Sequence, residues 1–247
     1  MPMPIAPLSG RAALVTGGAR RIGRQIALAL AQAGADVAIT YLSSDAEAAA
    51  TVSALEALGR RALAVPCDVR SEASVRDAIA AAVACLGRLD LAVNNAAVFE
   101  TAPLESMSVA QWDAVFETNA RGPFLVAREA MPHLRATHGR IINIGSLGGQ
   151  HAWAGHAHYC ASKAALHMLT LAMAKAFAPE LSVNCVAPGW IDMGEGPSPD
   201  AQRLAARTPM RRNGAAEDVA QAVLFFATGP SFVTGQILSV DGGLGLI

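Results

Sequence analysis

Short apolar runs alternate with longer stretches of mixed character from one end of the chain to the other. Residues 11–15 form such a run, closed by Gly17-Gly18 and followed by a helical pattern over about 21–33. Gly34 stops that helix, and residues 36–41 read as a second strand. Further strands are expected at 61–65, 89–93, 140–144, 181–186 and 236–240, with helices at about 44–58, 71–86, 109–133, 156–177 and 216–227. The second helix opens on Ser44-Asp45-Ala46-Glu47, a capping-box pattern. Strands that alternate with helices pair in parallel, because a parallel crossover needs a helix-length connection, and helices then cover both sheet faces. The near-continuous apolar strands suit a sheet buried on both sides. Residues 1–10 read as an N-terminal arm and 11–247 as one domain, in which the Gly- and Pro-rich stretch 189–212 is a flexible flap over the substrate.

Composition narrows the function classes. At 247 residues and 53% hydrophobic the chain can bury a large core, and a single α/β domain of this length is ordinary. Charged residues make up 16%, below the roughly 25% usual for soluble domains, which suggests surface covered by further subunits. A net charge of -1 gives bulk electrostatics no hold on nucleic acid or an anionic membrane. Cys67, Cys85, Cys160 and Cys185 are scattered without a C-x-x-C pair, as expected of reduced thiols in the cytoplasm. The first residues lack the basic and apolar regions of a signal peptide, and no apolar run approaches the ~20 residues that span a bilayer.

The first crossover carries Thr16-Gly17-Gly18-Ala19-Arg20-Arg21-Ile22-Gly23. Glycines between a strand and a helix allow a tight turn and close approach of backbone to a pyrophosphate, and the helix N-terminus offers amide donors. The spacing departs from G-x-G-x-x-G, since only Gly17 and Gly23 hold the ends. Arg20 and Arg21 invite an anion; alternatively they are a solvated basic pair. The second strand ends at Thr40-Tyr41, followed by Ser43 and Ser44 rather than by the acid that binds the ribose hydroxyls of NAD. Without that acid a 2′-phosphate is not repelled, so NADP(H) is expected over NAD(H). Ser44 can equally be a plain N-cap. Asp68 and Val69 follow the third strand, and Asn95, Ala96 and Ala97 the fourth. These are positions where α/β folds bind ligands, although turn chemistry alone would also place such residues there.

The chemical signal is Tyr159 and Lys163, one helical turn apart on one face. An ammonium beside a phenol favours the phenolate and brings a tyrosine closer to acid–base work near neutral pH. Ser146 precedes the pair within Gly145-Ser146-Leu147-Gly148-Gly149. His151, His156 and His158 cluster near Tyr159, but no acid or cysteine set joins them at ligand spacing, and no metal is expected.

Taken in order, the glycine turn, Asp68, Asn94-Asn95-Ala96-Ala97, Asn119, Ser146, Tyr159-x-x-x-Lys163, Pro188-Gly189 and Val240-Asp241-Gly242-Gly243 span nearly the whole length. As a set they resemble the short-chain dehydrogenase/reductase family. The resemblance implies a single-domain, Rossmann-type, doubly wound sheet of about seven strands, a nicotinamide cofactor and a homotetramer. It implies that Tyr159 delivers a proton to the substrate oxygen, Ser146 holds that oxygen, Lys163 lowers the phenol pKa and binds the nicotinamide ribose, and Asn119 supports a water. Pro188, Gly189 and Ile191 would shape the nicotinamide pocket. An alternative for Asn119 is a bond to backbone from mid-helix.

Two features point to the pteridine-reductase branch of that family: Arg21 where glycine is usual, and Phe99, placed to stack a pterin. Ser146 points away from it, since that branch carries an aspartate there. Trp153 or His151 would touch substrate, while Met193, Glu195 and Met210 would either close over it or form a solvated flap. Glu217 and Asp218 would help start the late helix. The expected protein is therefore an NADPH-dependent reductase of a carbonyl on a small or medium substrate, such as a 3-oxoacyl thioester or ketone. A dihydropterin reductase is the alternative, and a dinucleotide sensor without catalysis is a reading from another class.

Overall fold

A computed structural model describes residues 6–194, 196 and 199–247. Seven strands form one sheet: β1 (Ala12–Val15), β2 (Asp36–Tyr41), β3 (Ala62–Pro66), β4 (Leu91–Asn94), β5 (Arg140–Ile144), β6 (Ser182–Pro188) and β7 (Ile237–Val240). Their order is β3-β2-β1-β4-β5-β6-β7, and each neighbouring pair is parallel. The connection reverses direction between β1 and β4, which opens a crevice at the carboxyl ends of those strands.

Successive strand residues point to opposite faces, so each strand feeds two cores. Val15 and Ile39 pack with Ile26, Leu30 and Leu55 on the side of α1 (Arg21–Gln32), α2 (Asp45–Ala57) and α8 (Ala216–Thr228). Leu14 and Ile141 pack with Ile79, Leu134 and Met173 on the side of α3 (Glu72–Leu86), α5 (Gly122–Thr137) and α6 (Ala157–Phe177). All four residues of β1 are buried, which explains why that strand carries apolar residues without alternation; β6 is buried throughout as well, with its polar Asn184 donating to Val233 O at 2.9 Å.

The stretch expected as one helix over 109–133 is broken. It comprises α4 (Val109–Phe116), a π-helical turn (Glu117–Arg121) and α5. The turn admits an extra residue per hydrogen-bonded ring and holds Asn119 completely buried. Ser108 and Gln111 close a capping box at the start of α4, whereas Ser44 caps α2 without a side-chain bond. The stretch 189–212 is more ordered than its composition suggests, since it contains α7 (Pro199–Arg207) and a bridge pairing Ile191 with Gly214. Glu195 and the first five residues of the arm lie outside the described residues. Among the described residues, no helix is long and apolar enough to cross a membrane.

Candidate active site

A cavity of about 440 Å³ lies at the carboxyl ends of β1, β2, β3 and β4. The first turn contributes Gly17, Arg20, Arg21, Ile22 and Gly23, and the end of β2 contributes Tyr41, Ser43 and Ser44. Asp68 and Val69 enter after β3, and Asn95, Ala96 and Ala97 after β4. Asn95 closes the glycine turn by donating through Nδ2 to Thr16 O at 2.9 Å and Gly17 O at 3.0 Å. A Cβ on Gly23 would stand 2.2 Å from Gly17 O and 2.5 Å from that Nδ2, so the turn closes only around glycine. The first turn of α1 has no acidic residue and no side-chain cap. Its amides front the cavity, an arrangement suited to a pyrophosphate.

Arg21 takes the left-handed conformation, with φ 52°. An L-residue there costs about 1–2 kcal/mol relative to the right-handed region, so this backbone needs what the glycine of the resembling family would provide freely. Asp68, one of the expected ligand-binding positions, is already engaged. Arg70 reaches its two oxygens through Nε and Nη2 at 2.9 and 2.8 Å, and the Arg70 amide adds a bond at 2.9 Å. The Arg70 side chain holds the Asp68 carboxyl below the usual carboxylate range. An acid also stands near the end of β2 after all: Asp45, four residues beyond Tyr41, acts with desolvation to raise the Tyr41 phenol. Arg70 and Asp45 lie two and four residues from Asp68 and Tyr41, but neither spacing by itself signals these pairings.

The second half of the crevice is built at the end of β5 and on α6. Ser146 is buried and caps a short 3-10 turn (Leu147–Gly149), accepting from Gly148 N at 3.0 Å. Its side chain draws the Tyr159 phenol pKa down. Lys163 lies in the same helix, buried, with Nζ donating to Ile144 O at 2.8 Å and lying 5.8 Å from the Tyr159 ring centroid. The electrostatics differ from the expected picture. Burial raises the Tyr159 phenol above its ordinary value, and Ser146 is the group that pulls it down. Burial also lowers the Lys163 ammonium to about 8. The lysine's hydrogen bond goes to backbone rather than to the phenol, which accounts for its small hold on the tyrosine.

Asn119 makes three bonds: Nδ2 donates to Val98 O at 2.9 Å and Ser162 Oγ at 3.1 Å, and Oδ1 accepts from Val98 N at 2.8 Å. Both amide hydrogens are thus spent on joining the loop after β4 to α6. His167, one turn beyond Lys163, accepts from Ser146 N at 3.4 Å. Burial and the Lys163 ammonium depress it to about 4, so it stands neutral beneath the site. Nothing in the sequence distinguishes this histidine from an ordinary core residue.

Pro188 ends β6, and Gly189 N bonds Val240 O at 3.0 Å, leaving only 2.7 Å between a Cβ on Gly189 and Asp241 Cβ. These two residues and Ile191 are placed at the same end of the sheet but do not line the 440 Å³ cavity, nor do Tyr159 and Lys163. Met193 lines it; Met210 lines a separate cavity of about 410 Å³ beside β7. Phe99 meets Tyr159 edge-on at 4.8 Å, and Trp153 lies nearly parallel to it at 6.2 Å. Ala97 and Val98 border the cavity, so Phe99, next in the chain, carries its wall to the phenol. Asp218 accepts from Ala215 N at 2.7 Å at the start of α8 and also pairs with Arg212.

Comparison with known proteins adds four findings. A family model described as enoyl-(acyl carrier protein) reductase matches residues 17–245. A 3-oxoacyl-[acyl-carrier-protein] reductase of Staphylococcus epidermidis is 37% identical over 240 residues, covering 95% of this chain and 98% of that protein. The (2S)-[(R)-hydroxy(phenyl)methyl]succinyl-CoA dehydrogenase subunit BbsD of Thauera aromatica is 37% identical over 97% of this chain and 98% of its own. Among solved structures, a short chain dehydrogenase from Burkholderia cenocepacia J2315 in complex with NADP superposes with TM-score 0.90. It is 39% identical, covering 96% of this chain and 99% of that one.

Proposed function

Because this chain belongs to the short-chain dehydrogenase/reductase family and is an NAD(P)-dependent oxidoreductase of small molecules, we propose that it reduces a carbonyl with NADPH. A 3-oxoacyl thioester or a ketone of similar size is the substrate in this reading. The observation that carries it is the gathering of buried Ser146 and buried Lys163 about Tyr159 beside the cavity at the strand ends, with Lys163 Nζ 5.8 Å from the Tyr159 ring centroid and Ser146 drawing the phenol pKa down. The uncapped amides of α1, with Arg20 and Arg21 on the rim, would hold the dinucleotide phosphates, and Ser43 and Ser44 would receive the 2′-phosphate. When bound, the nicotinamide supplies hydride to the carbonyl carbon.

The chain's own residues handle the oxygen. Ser146 holds it by a hydroxyl already positioned by Gly148 N, an electrostatic role. Tyr159 gives its proton to the same oxygen as negative charge develops there. A phenol raised by burial holds its proton at neutral pH and so stands in the donor form. Lys163 places a positive charge below the pair, and Asn119 fixes α6 against the loop after β4. A homotetramer belongs to the same proposal, supported by the low surface charge and by Phe232 and Leu246 standing 99% and 88% exposed.

The left-handed Arg21 on the cavity rim and the open Phe99 beside Tyr159 favour dihydropterin as a second substrate reading. The test is a side-by-side titration of NADPH and NADH by protein fluorescence, followed by dihydropterin turnover. Tighter NADPH binding is expected, with no dihydropterin reduction; tighter NADH binding overturns the cofactor assignment, and rapid dihydropterin reduction selects the second reading.

A further inference from the structure

Two loops meet over Tyr159, and they meet through aromatic rings. From the loop after β4, Phe99 stacks on His156 with centroids 4.6 Å apart and 18° between planes. From the loop after β5, Trp153 stands edge-on to His156 at 6.3 Å and nearly parallel to Tyr159. His156 is itself pinned: Nδ1 lies 3.0 Å from Ala154 O and Nε2 3.0 Å from Thr101 Oγ1. A carbonyl only accepts, so Nδ1 carries the proton and, in the neutral ring, Nε2 accepts from the threonine. Ala102 N donates to Gly155 O at 2.9 Å and ties the same two loops by backbone. Behind Trp153, a Cβ on Gly148 would stand 3.1 Å from the indole, so the indole rests directly against the turn that Ser146 caps.

The wall is therefore rigid, and it is incompletely covered. His156 stacks on Phe99 and Tyr159 meets it edge-on, yet Phe99 is 55% exposed, so more than half of it stands open to a further group beside the phenol. Aromatic rings attract further rings edge-to-face or offset-stacked, beyond what burial of equal apolar area supplies. An alkyl chain would gain the burial alone.

We infer that the carbonyl substrate of this enzyme bears an aromatic ring on or next to its carbonyl carbon, received by Phe99 and Trp153, with His156 as the positioning residue that holds Phe99 in place. The inference rests on the carbonyl-reductase reading and names the substrate class for that same site.

An isosteric pair separates ring geometry from size: acetophenone and cyclohexyl methyl ketone have similar volume, and the cyclohexyl group is no less hydrophobic. The ratio of kcat/KM for the two is measured with NADPH in the parent, in Phe99→Leu and in His156→Leu. A ratio taken within one preparation is independent of the fraction that folds. The expected ratio is about tenfold for the aryl ketone in the parent, falling towards parity in Phe99→Leu and part of the way in His156→Leu. Parity in the parent, or an undiminished ratio in Phe99→Leu, overturns the inference.

Calorimetric titration of the Tyr159→Phe variant with each ketone, in the presence of NADPH, reads the same preference without turnover. If neither ketone is reduced by the parent but the aryl ketone still binds about tenfold tighter, the reductase reading falls and the aromatic subsite stands. Reduction of both ketones with equal efficiency leaves the reductase reading and removes the subsite.

Discussion

The two ends of the crevice are built on opposite physical terms. At the cofactor end the working groups are backbone amides and surface side chains, with charges that meet partners in solvent, as Arg70 takes Asp68. At the chemical end, Lys163, Ser146, Asn119 and His167 are all buried, and loss of water is the largest influence on Tyr159, Lys163 and His167. The cofactor end can therefore be altered in small steps, because exposed charges are screened and weakly coupled. The chemical end responds steeply to single changes, because each buried polar group depends on one or two specific partners.

The largest effect is expected of Tyr159→Phe. Removing a general acid costs about 10²–10⁴ in rate, while a contact made only as the oxygen becomes basic leaves ground-state binding alone. Turnover is expected to fall by that factor with the NADPH Kd unchanged; equal losses in both would mean that the phenol belongs to the binding end.

Asn119→Ala tests the same steepness through stability. It leaves the half-buried Val98 N and Val98 O without their Asn119 partner, while Ser162 Oγ keeps its bond to Tyr159 O, at about 1–3 kcal/mol for an unsatisfied group. Urea denaturation should show a loss of about that size, and a loss under 0.5 kcal/mol, the range of ordinary surface substitutions, would contradict the clamp.

His167 gives a pH signature. Its folded pKa of about 4 lies below the ordinary 6.5, so between those values the unfolded chain binds the extra proton and stability falls as pH drops. The slope approaches about 1.4 kcal/mol per pH unit, and the contribution is level above pH 6.5. In His167→Asn this acid limb should be missing; an identical limb in parent and variant would assign it to other groups.

The smallest effects belong to the cofactor end. Arg21→Gly removes a rim charge and should weaken NADPH binding only a few-fold, on the order of 1 kcal/mol or less. Asp45→Asn should shift the ratio of NADPH to NADH affinity towards NADPH by a similar amount. Fluorescence titration of both nucleotides reads each change, and a shift of a hundredfold would show that this end is as tightly coupled as the other.

The same contrast explains what could be read in the chain. The alternation of apolar runs and helical stretches carries the seven parallel strands, because burial on both faces leaves a continuous apolar signature. The residues expected around the dinucleotide, from Gly17 to Ala97, do line one cavity, since each sits in a short turn directly after a strand and the topology brings those turns together. The break at Asn119 left no such trace. Residues 109–133 have ordinary helical periodicity, and the π-helical turn coincides with bonds to Val98 and Ser162, which are distant in sequence. The roles of His167 and His156 were illegible for the same reason, since Ser146, Phe99 and Thr101 are distant from them in sequence. The direction of the Tyr159 shift was likewise hidden. The i to i+4 spacing predicts a lysine beside a phenol, but not that burial outweighs it or that the ammonium bonds Ile144 O.

The most direct test of the account is steady-state oxidation of NADPH by the parent protein with a 3-oxoacyl thioester, with the product identified chemically. The account predicts one 3-hydroxyacyl product formed per NADPH consumed, and slower consumption of NADH at equal concentration. No NADPH oxidation with this thioester or with the aryl ketone, despite saturable NADPH binding, would contradict it and leave a dinucleotide-binding protein without carbonyl chemistry.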